Sequence, residues 1–188
     1  MEKSFNFKLD NTKPYSKLCI NVGFNDFKSI SNYFKSLPYG RNSDRSNFKL
    51  VLIEKKGTCA SKHAFLKELA IENKQPKIKL FLGIYKMNEA NTSGIQPLLT
   101  KYKLNYLPQA HNYLKINEEL LDITRSEVSE TNFIDDLIFE EEITPNQVLD
   151  YKRELYQSYL KKWRTNEKID YSFDEIWSIR EEGIDILS

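Results

Sequence analysis

The sequence predicts an α+β domain. One observation is the recurrence of Ala60, Phe65, Leu66, Leu69 and Ala70 at helical spacing, which predicts a helix over Cys59 to Glu72. A second is the set of apolar segments Ile78 to Tyr85, Ala110 to Ile116 and Leu120 to Thr124. They read as strands, and the last two stand a hairpin's length apart. The third is the return of helical spacing in the C-terminal third, through Val148, Tyr151, Leu155, Tyr159 and Trp163.

The remaining elements follow in order. Phe24, Phe27, Ile30, Phe34 and Leu37 predict a helix that Pro38 stops. The polar stretch from Pro38 to Asn47 has turn chemistry. Leu50 to Ile53 is a short apolar run, compatible with a strand or a helical turn. Gly83 inside its strand marks a bulge or a close approach. Met87 to Leu107 is a long connection rich in Asn, Ser and Gly, with a helical turn at Leu98, Leu99 and Tyr102. Thr144-Pro145 starts the C-terminal helix over Val148 to Trp163. Ser172 and Glu175 form a capping box for a last helix that Gly183 ends.

Composition narrows the class. With 188 residues, 40% hydrophobic and 29% charged, the chain has material for one core, so residues 1–188 are expected to form a single domain. Eleven Tyr and eleven Phe predict an aromatic-rich interior. A net charge of +1 argues against general nucleic-acid binding. No apolar run is long enough to span a membrane, and Met1 to Phe7 lacks the apolar stretch of a secretory signal. Two cysteines, Cys19 and Cys59, make no disulfide framework, so a reduced, cytoplasmic protein is expected. Cys19, in an apolar segment, reads as a core residue.

Cys59 carries the chemical interest. Thr58 is an N-cap candidate, which puts Cys59 in the first helical turn beside Lys55, Lys56 and Lys62. A helix N-terminus and nearby cations favour a thiolate. The backbone N–H of Cys59 has no acceptor within the helix and supplies half of an oxyanion hole. His111 precedes Asp122 by eleven residues. A two-residue turn at Ile116-Asn117 sets them directly opposite; one at Asn117-Glu118 sets them diagonally. Both side chains share a face either way. A carboxylate there orients the imidazole, and the imidazole serves the thiol as base.

These residues resemble the transglutaminase-like branch of the papain-like cysteine superfamily. The resemblance rests on Gly57-Thr58-Cys59, His111-Asn112-Tyr113 and Asp122-Ile123-Thr124, and covers roughly residues 50–125. Tyr113 stands where the family often has Trp, and Ile123 where it has Pro. The resemblance implies an antiparallel sheet with the Cys59 helix packed on it, a catalytic core over about 38–125 and a helical extension over about 144–188. It implies Cys59, His111 and Asp122 as a catalytic triad for acyl transfer through a thioester, on a peptide, amide or acyl substrate and without a cofactor. Hydrolysis and transfer to an amine both remain open, as does the oligomeric state.

Asn47, Asn42, Tyr39 and Gln109 are the candidates for the second oxyanion donor or for substrate contact. His63, Tyr113 and Thr124 are candidates to support the site, and His63, one turn after Cys59, could also be a rival base. Two other readings use the same residues. One is a non-catalytic scaffold of this fold that binds a partner. The other is a metal site of Cys59, His63, His111 and Asp122.

Overall fold

The computed structural model describes residues 5–125 and 133–186. The start of the polar N-terminal segment, residues 1–4, lies outside them. The order of elements is α1 (Pro14–Asn21), α2 (Phe27–Ser36), α3 (Leu50–Glu54), α4 (Cys59–Glu72), β1 (Ile78–Met87), α5 (Gln96–Lys101), β2 (Leu107–Ile116), β3 (Glu119–Leu121), β4 (Leu137–Ile143), α6 (Asp150–Asn166) and α7 (Phe173–Ile186). The class is α+β, with one antiparallel sheet in the order β3-β2-β1-β4.

The central strand β1 is buried on both faces. Ile78, Leu80, Leu82 and Ile84 line one face and Phe81 and Tyr85 the other. Helix α4 packs on β1 and β2. Its residues Ala64, Phe65, Leu66, Leu69 and Ala70 are wholly buried, and so are Lys62 and His63. A helix apolar on nearly all sides is a core helix, and the two polar residues within it need partners. Gly83 is a close approach: a Cβ there would meet Leu137 Cδ2 at 2.8 Å and Tyr113 Cε1 at 3.0 Å. The register between β1 and β4 also shifts just after it, between Ile84 and Tyr85.

The hairpin of β2 and β3 turns through Asn117 and Glu118, both at positive φ (51° and 68°), which is the geometry of a two-residue type I′ turn. This is the second of the two registers expected, and it places His111 and Asp122 diagonally. Strand β3 ends at Leu121, so Asp122 and Thr124 lie beyond the strand predicted to hold them. The cause is local. Asp122 Oδ1 accepts from Thr124 N–H at 2.9 Å, an Asx turn that takes the backbone out of the ladder.

Two further boundaries differ from expectation. The stretch opened by Thr144-Pro145 is a capped 3₁₀ turn over Pro145–Val148, and α6 begins only at Asp150. Its buried line is also offset by one residue. Tyr156, Leu160 and Trp163 are buried, whereas Tyr151, Leu155 and Tyr159 are half-buried. The Ser172–Glu175 capping box is present. Helix α7 does not stop at Gly183 but runs on to Ile186. Gly183 is buried there, and a Cβ would meet Leu98 Cδ2 at 3.0 Å. Among the described residues, no helix is long and apolar enough to cross a membrane.

Candidate active site

Thr58 caps α4: its Oγ1 accepts from Ser61 N–H at 3.3 Å, while Ser61 Oγ accepts from Thr58 N–H at 3.0 Å. Cys59 is therefore the first residue of α4. Ser61 N–H and Lys62 N–H are taken by Thr58. By helix geometry the N–H groups of Cys59 and Ala60 have no acceptor within the helix. Gly57 makes this placement possible. Its N–H donates to Pro38 O and its carbonyl accepts from Gly40 N–H, so the Tyr39 segment runs alongside. A Cβ at Gly57 would lie 2.8 Å from Lys62 Cγ, which only glycine avoids.

Cys59, 7% exposed, meets β2 beyond the reach of β3, which pairs with that strand only along Leu114 to Ile116. The imidazole of His111 and the backbone N–H of Asn112 both lie against the sulfur and favour its thiolate. On the other side of the ring, His111 Nε2 lies 2.6 Å from Asp122 Oδ2. Sulfur, imidazole and carboxylate thus form one chain. Tyr113 stacks on the His111 ring with the planes 24° apart, and Tyr85 and Phe133 pack edge-on.

His63 serves a different purpose. Its Nδ1 is 2.7 Å from the Cys59 carbonyl, and its Nε2 accepts from Ile123 N–H at 3.0 Å. Those partners require the neutral tautomer with the proton on Nδ1. Burial pushes its pKa down to about 4, against the pull of Asp122. With both nitrogens engaged, His63 acts neither as base nor as metal ligand. Among the described residues no group of three or more His, Cys, Asp or Glu is placed to hold a metal. His63 instead ties the start of α4 to the segment carrying Asp122. Lys62 adds a second tie, with Nζ donating to Leu37 O at 2.7 Å and Thr124 O at 2.9 Å.

The electrostatics of the group are concerted. Burial disfavours the Cys59 thiolate, but the charges of Lys152 and His111 and the bonds from His111 and Asn112 N–H outweigh it and hold the thiol well below its ordinary value. Burial likewise opposes the imidazolium of His111, yet Asp122 and Cys59 raise its pKa. Asp122, although buried, is held far below the usual carboxylate range, first by His111. Among the described residues Cys19 has no such partners. Burial and the nearby Glu72 push it up to about 12.

Three expected polar candidates hydrogen-bond groups other than the thiol. Asn47 is exposed, and its Oδ1 accepts from Lys49 N–H. The Asn42 amide donates to Glu54 and to Lys56 O. Gln109 Oε1 accepts from Tyr156 Oη of α6 at 3.1 Å. Tyr39 remains: burial first, and then the charge of the Cys59 thiolate, raise its pKa, and the Arg125 guanidinium lies 4.8 Å above its ring. Tyr113 forms a wall of the His111 pocket and donates its hydroxyl to Glu140. Thr124 acts through its backbone, bonding Asp122 and Lys62.

The sequence reading missed Lys152. From the first turn of α6 its Nζ reaches to 3.7 Å from Cys59 Sγ and donates to Asn112 Oδ1 at 2.6 Å. Asn112 is fixed in turn by donating to Phe81 O at 3.1 Å. The cation at the thiol is therefore not one of the lysines adjacent in sequence. A signal did exist: Val148, Lys152, Tyr156 and Leu160 follow at intervals of four, so a charge lies on the buried line of a helix. No protein-family model, no curated protein and no solved structure matches this chain.

Proposed function

We propose that the chain is a thiol-dependent acyl-transfer enzyme of transglutaminase-like type, with a papain-like core, acting on a peptide, amide or activated acyl group. The observation that carries this reading is His111, whose Nε2 lies 2.6 Å from Asp122 Oδ2 while its ring and the Cys59 thiol favour each other's charged form. In this scheme the Cys59 thiolate adds to a carbonyl carbon and the C=O electron pair moves onto oxygen. The tetrahedral adduct collapses, and the leaving amine takes a proton from His111. A thioester on Cys59 remains. Water or an amine then attacks it, gives its proton to His111, and the thiolate departs. Asp122 holds the imidazole orientation and balances its charge throughout. Two free cysteines fit a reducing compartment, which supports a cytoplasmic setting.

The test is to trap the thioester. Incubation with an activated acyl ester should place a hydroxylamine-labile mass increase on the Cys59 peptide, absent in Cys59→Ala. Wild-type protein that accumulates no adduct and turns over no ester would contradict the proposal.

A further inference from the structure

Thiol acyl transfer needs a donor for the oxygen that becomes negative in the tetrahedral adduct. A preorganised donor in a dry site is worth more than one in water. The helix supplies one, the Cys59 N–H. Of the expected side chains, the Asn42 amide donates to Glu54 and Lys56 O, Asn47 is exposed, Gln109 is held through its Oε1 by Tyr156, and Tyr39 has no charge to set against an oxyanion. Lys152 differs on each count. Its Nζ contacts the reacting sulfur at 3.7 Å. Its position is fixed through Asn112 Oδ1, whose amide is anchored on Phe81 O in the central strand. An ammonium has three donors. Asn112 takes one and the thiolate attracts a second.

We infer that Lys152 is a further catalytic residue of the proposed acyl transfer, with its ammonium serving as the side-chain half of the oxyanion hole. The inference rests on the acyl-transfer reading of Cys59 and His111. In the resting site Nζ faces the thiolate. When Sγ bonds the carbonyl carbon, the negative charge passes from sulfur to an oxygen two bonds away. The same ammonium then meets that charge without moving off Asn112. When the adduct collapses, the electron pair returns to the carbon–oxygen bond and Lys152 keeps its proton. It stabilises charge and transfers nothing.

Two reagents separate this role from a purely structural one. Acylation of Cys59 by p-nitrophenyl acetate passes through an oxyanion, whereas alkylation by iodoacetamide is a displacement at carbon that forms none. Both rate constants are measured on the pH plateau of each variant, where the thiol is fully ionised, with the adduct located on Cys59. Lys152→Met should lower the acylation rate relative to alkylation by at least about tenfold, since loss of one oxyanion donor costs about 10²–10³ in rate. Lys152→Gln, which keeps a donor without the charge, should fall between, and serves alone if Lys152→Met does not fold. An unchanged ratio in a variant, with wild-type acylation intact, overturns the role of Lys152 and leaves the function reading standing. Wild-type protein that alkylates readily but is never acylated overturns the function reading itself.

Discussion

His111 Nε2 and Asp122 Oδ2 lie 2.6 Å apart although the two residues are not paired across their hairpin. The ladder stops at Leu121, and the Asx turn of Asp122 swings its carboxylate diagonally onto the imidazole. Thr124 N–H donates to the other carboxylate oxygen, Oδ1, at 2.9 Å and fixes the turn.

That relationship predicts the effect of Asp122→Asn. The substitution keeps the shape and removes the charge that stabilises imidazolium. Acylation of Cys59 should fall by about 10²–10⁴-fold. Ester kinetics on the purified variant measure this, and a wild-type rate would mean that Asp122 does not orient His111.

Much of this arrangement was legible in the sequence. The helix from Cys59 to Glu72 and its cap followed from the Thr58 signal and a dense apolar stripe. The His111–Asp122 spacing allowed two registers, and both put the side chains on one face. What escaped had physical reasons. Strand β4, Leu137–Ile143, holds three successive glutamates that hide any alternation. Its carboxylates are instead held by Lys115, Lys79 and Tyr151. Lys152 escaped because sequence proximity favoured Lys55, Lys56 and Lys62 as the cations, while contact with the thiol is set by how α6 packs on β2.

Lys62 is expected to matter for stability. Lys62→Met leaves the buried carbonyl of Leu37 and the partly buried one of Thr124 without their shared donor. An unsatisfied buried acceptor costs roughly 1–3 kcal/mol, partly offset by relief of the buried charge, so a net loss of about 2 kcal/mol is predicted. Urea denaturation would register this as a lower midpoint. An unchanged midpoint would show that the two carbonyls find other partners.

His63 should set part of the acid limit of stability. Its folded pKa of about 4 lies below the ordinary 6.5. The native state therefore resists a proton that the unfolded state binds. This contribution is fully present above pH 6.5 and is lost as pH falls from 6.5 through about 4, amounting to about 3 kcal/mol. His63→Asn keeps a donor for the Cys59 carbonyl and removes the titration. Its stability should decline less steeply than wild type across that window, and parallel slopes would refute the assignment.

Gly83→Ala tests the packing behind His111. The added Cβ would press on Leu137 and on the Tyr113 ring, which stacks against the imidazole. Overpacking of this kind costs about 1–3 kcal/mol, and displacement of Tyr113 should also slow Cys59 acylation. Thermal melts and ester kinetics on the same sample would show both effects together; a variant with neither would mean the strand simply shifts to make room.

The central claim is that His111 and Cys59 share charge as imidazolium and thiolate. The most direct measurement is the rate of iodoacetamide alkylation at each cysteine as a function of pH, in wild type and in His111→Ala. Cys59 should reach half its maximal rate within the range of about 3.5–7.5 seen for activated thiolates, while Cys19, pushed up to about 12, stays inert. His111→Ala should move the Cys59 profile upward. A Cys59 profile centred at the ordinary thiol value of about 8.5, and unmoved by loss of His111, would contradict the account.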